Sequence, residues 1–230
     1  MERISYSLAE RILFLTIGKL KPEEKHTLRR KLTHLTGVLY IFGVWFLTLN
    51  YGFYLASILL VSLTMFSMSV YVAYNLLKFL GFKLIHIKKL WWKLGSPEDL
   101  NGRKYYWDVC WLGLSLSTCT LLSFLVGDVR IAYIMACTVI LGDGFAGIIG
   151  ILFGKHKIFY NQRKTVEGHL SGFTVAFLFS LLITKSFSMS FVGVGVGMLV
   201  ETLPVKVSDN ATVPLSTTLT LIALKTFFGV

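Results

Sequence analysis

The chain has 230 residues, of which 54% are hydrophobic and only 15% charged, and its mean hydropathy is +0.67. Soluble domains carry about 25% charged residues, so this composition excludes a water-soluble enzyme and defines a polytopic membrane protein. The formal net charge of +11 would point to nucleic acid in a soluble chain; in an apolar one, orientation in the bilayer and anionic lipid or nucleotide account for it better.

Taken in order, residues 8–20 are apolar but short, and charges flank and interrupt them. A helix lying on the membrane surface fits better than a cleaved signal. Residues 21–31 are polar and close a cytosolic N-terminal segment, 1–31. Apolar spans are expected at about 32–49, 51–74, 105–126, 130–153, 168–187, 188–204 and 215–230. Several match the ~20 residues that cross a bilayer as helix. Between the second and third spans lies a basic interfacial loop, 75–104. Within it, residues 76–94 alternate apolar and basic positions and end near Trp91 and Trp92, the pattern of an amphipathic helix at headgroup level. The expected fold is therefore all-α: one integral-membrane domain over 1–230, about seven transmembrane helices and an interfacial helix. Cys110, Cys119 and Cys137 all fall in apolar spans, with an odd count and no CxxC; they read as small buried residues.

Basic residues set the orientation. Fifteen lysines and arginines, from Arg29 to Lys206, fall on one face of this topology, against Arg130 and Lys185 on the other. The positive-inside rule puts the N-terminus and the long loops in the cytosol, so the working face is cytosolic.

Chemistry concentrates around residues 142–168. Asp143 sits in the middle of a hydrophobic run, where an ionisable group costs roughly 2.5–3.5 kcal/mol and is functional by default. On a helix Asp143, Ala146, Gly147, Gly150 and Gly154 share one face, which a second backbone or a phosphate can approach closely. Gly142-Asp143-Gly144-Phe145-Ala146-Gly147 matches GxGxxG by letter, but no strand precedes it. The Gly150–Lys155 stretch is one residue short of a Walker loop, and His156 stands where Ser or Thr belongs. Any nucleotide chemistry must follow a membrane-specific scheme. Next come Lys155 and the run Arg163-Lys164-Thr165-Val166-Glu167. Lys164 and Arg163 can neutralise phosphate, Thr165 can donate a hydrogen bond, and Glu167 can hold a divalent metal. Glu201, Asp209 and Asn210 near the last two spans are hard oxygen ligands suited to Mg²⁺ carried by phosphates; Asp209 or Asn210 could instead cap the last helix. Arg30, Lys31 and His34 open the first span.

In this order, Arg30-Lys31-Leu32-Thr33-His34, Gly142-Asp143-Gly144 with Ala146 and Gly150, Gly154, Lys164-Thr165-Val166-Glu167-Gly168, Glu201 with Pro204, and Asp209-Asn210 with Thr212 and Pro214 resemble the polyprenol kinase family. That family comprises dolichol kinases, phytol kinases and CTP-dependent diacylglycerol kinases, and is more distantly similar to CDP-lipid synthases. The resemblance covers residues 30–214. It implies CTP- and Mg²⁺-dependent phosphoryl transfer to a lipid alcohol of polyprenol, dolichol, phytol or geranylgeraniol type. Asp143, Lys164 and Glu167 would be catalytic. Arg30, Lys31, Gly147, Gly150, Lys155, Arg163, Thr165 and Asn210 would hold nucleotide or phosphate, and Asp143, Glu201 and Asp209 the metal. The alternatives are a CDP-lipid synthase and a CTP-dependent diacylglycerol kinase. The expected partners are CTP, the lipid alcohol and the membrane, with no nucleic acid.

Overall fold

The computed structural model describes residues 18, 20–81, 103–205 and 207–229, with backbone alone over 103–110. The surface helix expected over 8–20 and the amphipathic stretch from residue 82 onward lie outside the described residues.

Eight helices and one small hairpin make up the described chain. Helix α1, Pro22–Leu35, is polar. It ends at Gly37, where a side chain would press on the His34 carbonyl and Ile140. Residues 32–35, expected to open the first span, therefore belong to α1, and the apolar helix starts at Val38. Helix α2, Val38–Phe79, is broken at Gly52, which has φ 77 and ψ 161. Val44 and Leu60 share one core cluster across that break, so the chain folds back on itself there. Only glycine adopts such a conformation without strain. The sequence expectation put a boundary between two spans near residue 50, and the helix breaks at Gly52.

Helix α3, Arg103–Leu125, leads through Gly127 to the central rod of the molecule. The rod is α4, Val129–Ala136, a π-helical segment, Cys137–Gly142, and α5, Asp143–Phe153. Asp128 caps its start by accepting from the Arg130 backbone N–H at 2.9 Å. Every residue from Ile131 to Gly142 is buried. The rod spans 25 residues, about 37 Å at 1.5 Å per residue, which crosses a hydrocarbon core with length to spare.

Helices α6, Val166–Thr184, α7, Phe187–Thr202, and α8, Asp209–Phe228, pack around this rod. Ile131 and Ile134 of the rod, Met189, Val194 and Met198 of α7 and Leu221 of α8 meet in the main core cluster. Contact between α5 and α6 is close because small residues face each other. A side chain at Gly168 would strike the Ala146 carbonyl, and one at Gly172 would strike the Gly142 carbonyl. Cys119 and Cys137 are buried free thiols.

The polar stretch after α5 falls between two expected spans, where the sequence implies a loop. It instead forms an antiparallel hairpin of β1, Lys157–Ile158, and β2, Asn161–Thr165, pairing Lys157 with Thr165 and Ile158 with Asn161 across an irregular register. Asn-Gln-Arg-Lys-Thr has no apolar alternation, so local pattern gives no strand signal.

Among the described residues, four stretches are long and apolar enough to cross a membrane: Val38–Val70, which contains the Gly52 turn, Val129–Phe153, Val166–Thr184 and Asp209–Phe228. Trp111–Leu125 and Phe187–Thr202 are shorter apolar helices.

Candidate active site

Asp143 stands where the π segment hands over to α5. Its backbone N–H reaches the Thr138 carbonyl five residues back, the π pattern, and also that of Ile140. A π segment advances the helix by an extra residue, which re-aims everything after it, and such segments recur at functional sites. Here it turns the Asp143 carboxylate toward α1. The Lys31 ammonium forms an ion pair with Asp143 Oδ1, and both side chains are only 14% exposed. One turn further along α1, His34 donates from Nε2 to the Val139 carbonyl at 3.0 Å. The same nitrogen lies 3.8 Å from Asp143 Oδ2. A carbonyl can only accept, so Nε2 carries a proton.

Gly147 explains how Lys31 gets there. A side chain at 147 would lie 2.6–2.8 Å from the Lys31 methylenes, so the lysine stem runs over the bare helix surface. The space over Gly150 is also filled, by the Thr165 hydroxyl and Gly168. The glycine face expected to admit a backbone or a phosphate thus receives a lysine stem at Gly147 and helix α6 at Gly150.

A second cluster lies at the same end of the bundle. Lys164 of β2 bonds both the Glu201 side-chain Oε1 and the Glu201 carbonyl, and reaches Asp209 Oδ2 at 2.9 Å. It therefore ties the C-terminus of α7 to the N-terminus of α8. Burial works against its charged form, but the Glu201 and Asp209 carboxylates outweigh that and hold its pKa above the usual lysine value. The two clusters feel each other: Lys164 acts electrostatically on Asp143, and Lys31 on Glu201.

The hairpin is fastened over α7 by three donors. Besides Lys164, Asn161 Nδ2 donates to the Thr202 carbonyl at 2.9 Å, and the Tyr160 hydroxyl meets Thr202 Oγ1 at 2.7 Å. The last carbonyls of a helix have no partner within it, and Lys164 and Asn161 satisfy those of Glu201 and Thr202.

Other expected site residues sit elsewhere. Thr165 is buried and caps α6, its hydroxyl accepting from Gly168 N at 3.2 Å. Glu167 accepts from the His156 backbone at 3.1 Å and lies 2.6 Å from its ring Nδ1, which fastens the start of the hairpin to α6. Arg30, Lys155 and Arg163 are exposed, and Asn210 is half-buried beside Asp209. Asp209 follows the Ser208 cap and serves as the first-turn acid of α8. Asp143, Glu201 and Asp209 do not converge. Among the described residues no group of three His, Cys, Asp or Glu side chains is close enough to hold a metal by itself. Sequence reasoning gave no role to His34 and did not foresee that Lys31 rather than Arg30 meets Asp143. The i, i+3 spacing of Lys31 and His34 was the available signal.

A helical membrane bundle with paired lysines and carboxylates gathered at one end is the class these features define. The particular family follows from comparison with known proteins. The model of the cytidylyltransferase family matches residues 7–229, and the chain belongs to that family. It is 31% identical over 137 residues to a chloroplastic farnesol kinase of Arabidopsis thaliana, covering 53% of this chain and 42% of that one. It is 36% identical over 93 residues to a probable phytol kinase 1 of Glycine max, covering 33% of this chain and 30% of that one. Phytol kinase 1 of Arabidopsis thaliana is 35% identical over 95 residues, 34% of this chain and 31% of its own length. The matches therefore span less than half the length of each of these relatives. No solved structure gives a significant match.

Proposed function

We propose that this chain is a CTP-dependent membrane kinase that transfers the γ-phosphoryl group to an isoprenoid-type lipid alcohol, releasing CDP. The observation that carries the reading is the pair of lysine–carboxylate clusters, Lys31–Asp143 and Lys164–Glu201–Asp209, at one end of the bundle. Phosphoryl transfer needs positioning and charge neutralisation more than covalent chemistry, and these are the groups that supply it. Each lysine is paired with carboxylate. On this reading Lys31 and Lys164 exchange carboxylate for phosphate oxygens when a nucleotide enters. The carboxylates so released are hard oxygen donors.

That donor set fits Mg²⁺, which keeps waters and takes one or two carboxylates alongside substrate phosphates rather than needing a complete protein cage. Glu201 and Asp209, which share Lys164, or Asp143 in the other cluster, are the residues that would hold it, and when bound it would neutralise the phosphate chain. On this reading Asp143 accepts the proton of a lipid hydroxyl entering between helices. Arg163, Lys155 and Arg30 line the exposed approach and attract the anion. Seven crossings, with the N-terminus and site in the cytosol, complete the proposal.

The relatives' names favour a farnesol- or phytol-type alcohol. A second reading rests on the family description itself: a cytidylyltransferase makes a CDP-linked lipid from a lipid phosphate. The two differ in which phosphorus moves. Purified protein is incubated with Mg²⁺, a panel of lipid alcohols and phosphates, and CTP labelled at either the α or the γ position. Label passing from γ to an alcohol is the expected result; label passing from α with pyrophosphate release selects the second reading. Unlabelled ATP should compete poorly against CTP, and equal use of ATP overturns the nucleotide assignment.

A further inference from the structure

We infer that the β1–β2 hairpin and the neighbouring linker between α7 and α8 form an interfacial anchor that sits among the headgroups of an anionic bilayer beside the site. Phe159 at the hairpin tip is 87% exposed, and among the described aromatic residues its ring packs edge-on against Tyr160, at 4.7 Å. The Tyr160 hydroxyl is bonded to Thr202, the last residue of α7. This brings the tip next to the linker, whose Leu203, Val205 and Val207 are also exposed. Exposed apolar side chains along the spanning helices face lipid tails and need no further account. These four and Tyr160 lie beyond the helix ends, where water would otherwise meet them.

Exposed apolar residues gathered in such a place mark a membrane or partner surface. The charges nearby choose between them. Lys155, Lys157 and Arg163 are exposed on the same hairpin and its approach, and form no ion pair among the described residues. Aromatic and aliphatic groups ringed by basic residues fit the zone where acyl chains meet anionic headgroups. The hairpin is polar at its base and tied to Glu201 and Thr202, so an anchored tip would also hold Lys164 in register. The inference uses the position of the hairpin and does not depend on the reaction catalysed.

The test places an environment-sensitive NBD probe at Phe159→Cys in protein reconstituted into vesicles containing phosphatidylglycerol. Wild type treated with the same reagent gives the background from the native cysteines. The expected result is blue-shifted emission, lost on adding lipids spin-labelled near the glycerol level and protected from aqueous cobalt. The shift and the protection should weaken in the Lys157→Gln/Arg163→Gln double variant and in purely phosphatidylcholine vesicles. Full access to cobalt without lipid quenching overturns the inference. So does protection that appears only when CTP is added, which would make Phe159 a platform for the base, and so does protection that is the same with and without anionic lipid. None of these readouts uses turnover, so failure of the kinase reading leaves them intact.

Discussion

Asp143 is affordable in the bilayer because Lys31 meets it and His34 stands close by. Removing one partner of a buried ion pair leaves an uncompensated charge, so Asp143 cannot be judged apart from α1. Asp143→Asn keeps the shape and removes the charge. Turnover should fall by about 10²-fold or more while the protein still inserts; kinetics on purified variant within a few-fold of wild type would leave Asp143 a structural residue only. Lys164→Ala and Lys157→Ala separate the site from ordinary surface basicity. Lys164 is bonded to Glu201 and Asp209, whereas Lys157 is exposed on β1. A lost charge-assisted bond is worth about 1.5–3 kcal/mol, so kcat/KM for the nucleotide should drop tenfold or more for Lys164→Ala and little for Lys157→Ala. The raised pKa of Lys164 fixes the pH dependence of that difference. Its ionic contribution is complete below the unfolded lysine value near ~10.4 and fades only as pH rises through the higher folded value. The contrast between the two variants should therefore be the same at about pH 6.5 and pH 8.5, and a contrast that disappears within that range would mean Lys164 titrates there.

Among the elements, the rod, α6 and α8 are legible from hydrophobic length alone, α7 falls short of a full span, and the acid in the rod announces itself by its cost. The π segment is invisible in sequence because Cys-Thr-Val-Ile-Leu-Gly is as apolar as ordinary helix; only the partners of its backbone reveal it. The hairpin is invisible for a different reason. Its side chains bond carbonyls some forty residues away, and no local pattern carries that. Likewise the glycine face was recognised, but what covers it depends on tertiary packing. Gly172 and Gly195 make that packing testable, since both lie in apolar helices. A methyl at Gly172 would meet the Gly142 carbonyl, Ala146 and Met198, whereas one at Gly195 would meet only Phe173 at an ordinary 3.9 Å. Overpacking of this kind costs about 1–3 kcal/mol. Thermal unfolding in detergent should show Gly172→Ala clearly destabilised and Gly195→Ala close to wild type. Equal melting temperatures would mean that α5 and α6 are not packed this closely.

Across the whole molecule, charge is divided between the two ends of the bundle. At one end Lys31, Lys164, Asp143, Glu201 and Asp209 form the coupled clusters, with exposed cations around them. At the other, Asp128 is buried and bidentate to Arg130, and Lys225 of α8 approaches it at 3.4 Å and donates to the Val126 carbonyl at 3.1 Å. Counting by sequence left Lys225 inside the last span, but the fold puts it with Arg130. The asymmetry becomes fifteen basic residues against three and keeps its direction. The positive-inside rule then predicts that the hairpin end is cytosolic. Gln162 is exposed on the hairpin, and Ser188 is exposed at the start of α7, one helix length away. In sealed cells or right-side-out vesicles, a membrane-impermeant maleimide should label Ser188→Cys from outside and reach Gln162→Cys only after permeabilisation. External labelling of Gln162→Cys would invert the molecule. It would also place the lysine–carboxylate clusters away from cytosolic nucleotide, and with them the proposed kinase reaction would lose its phosphoryl donor.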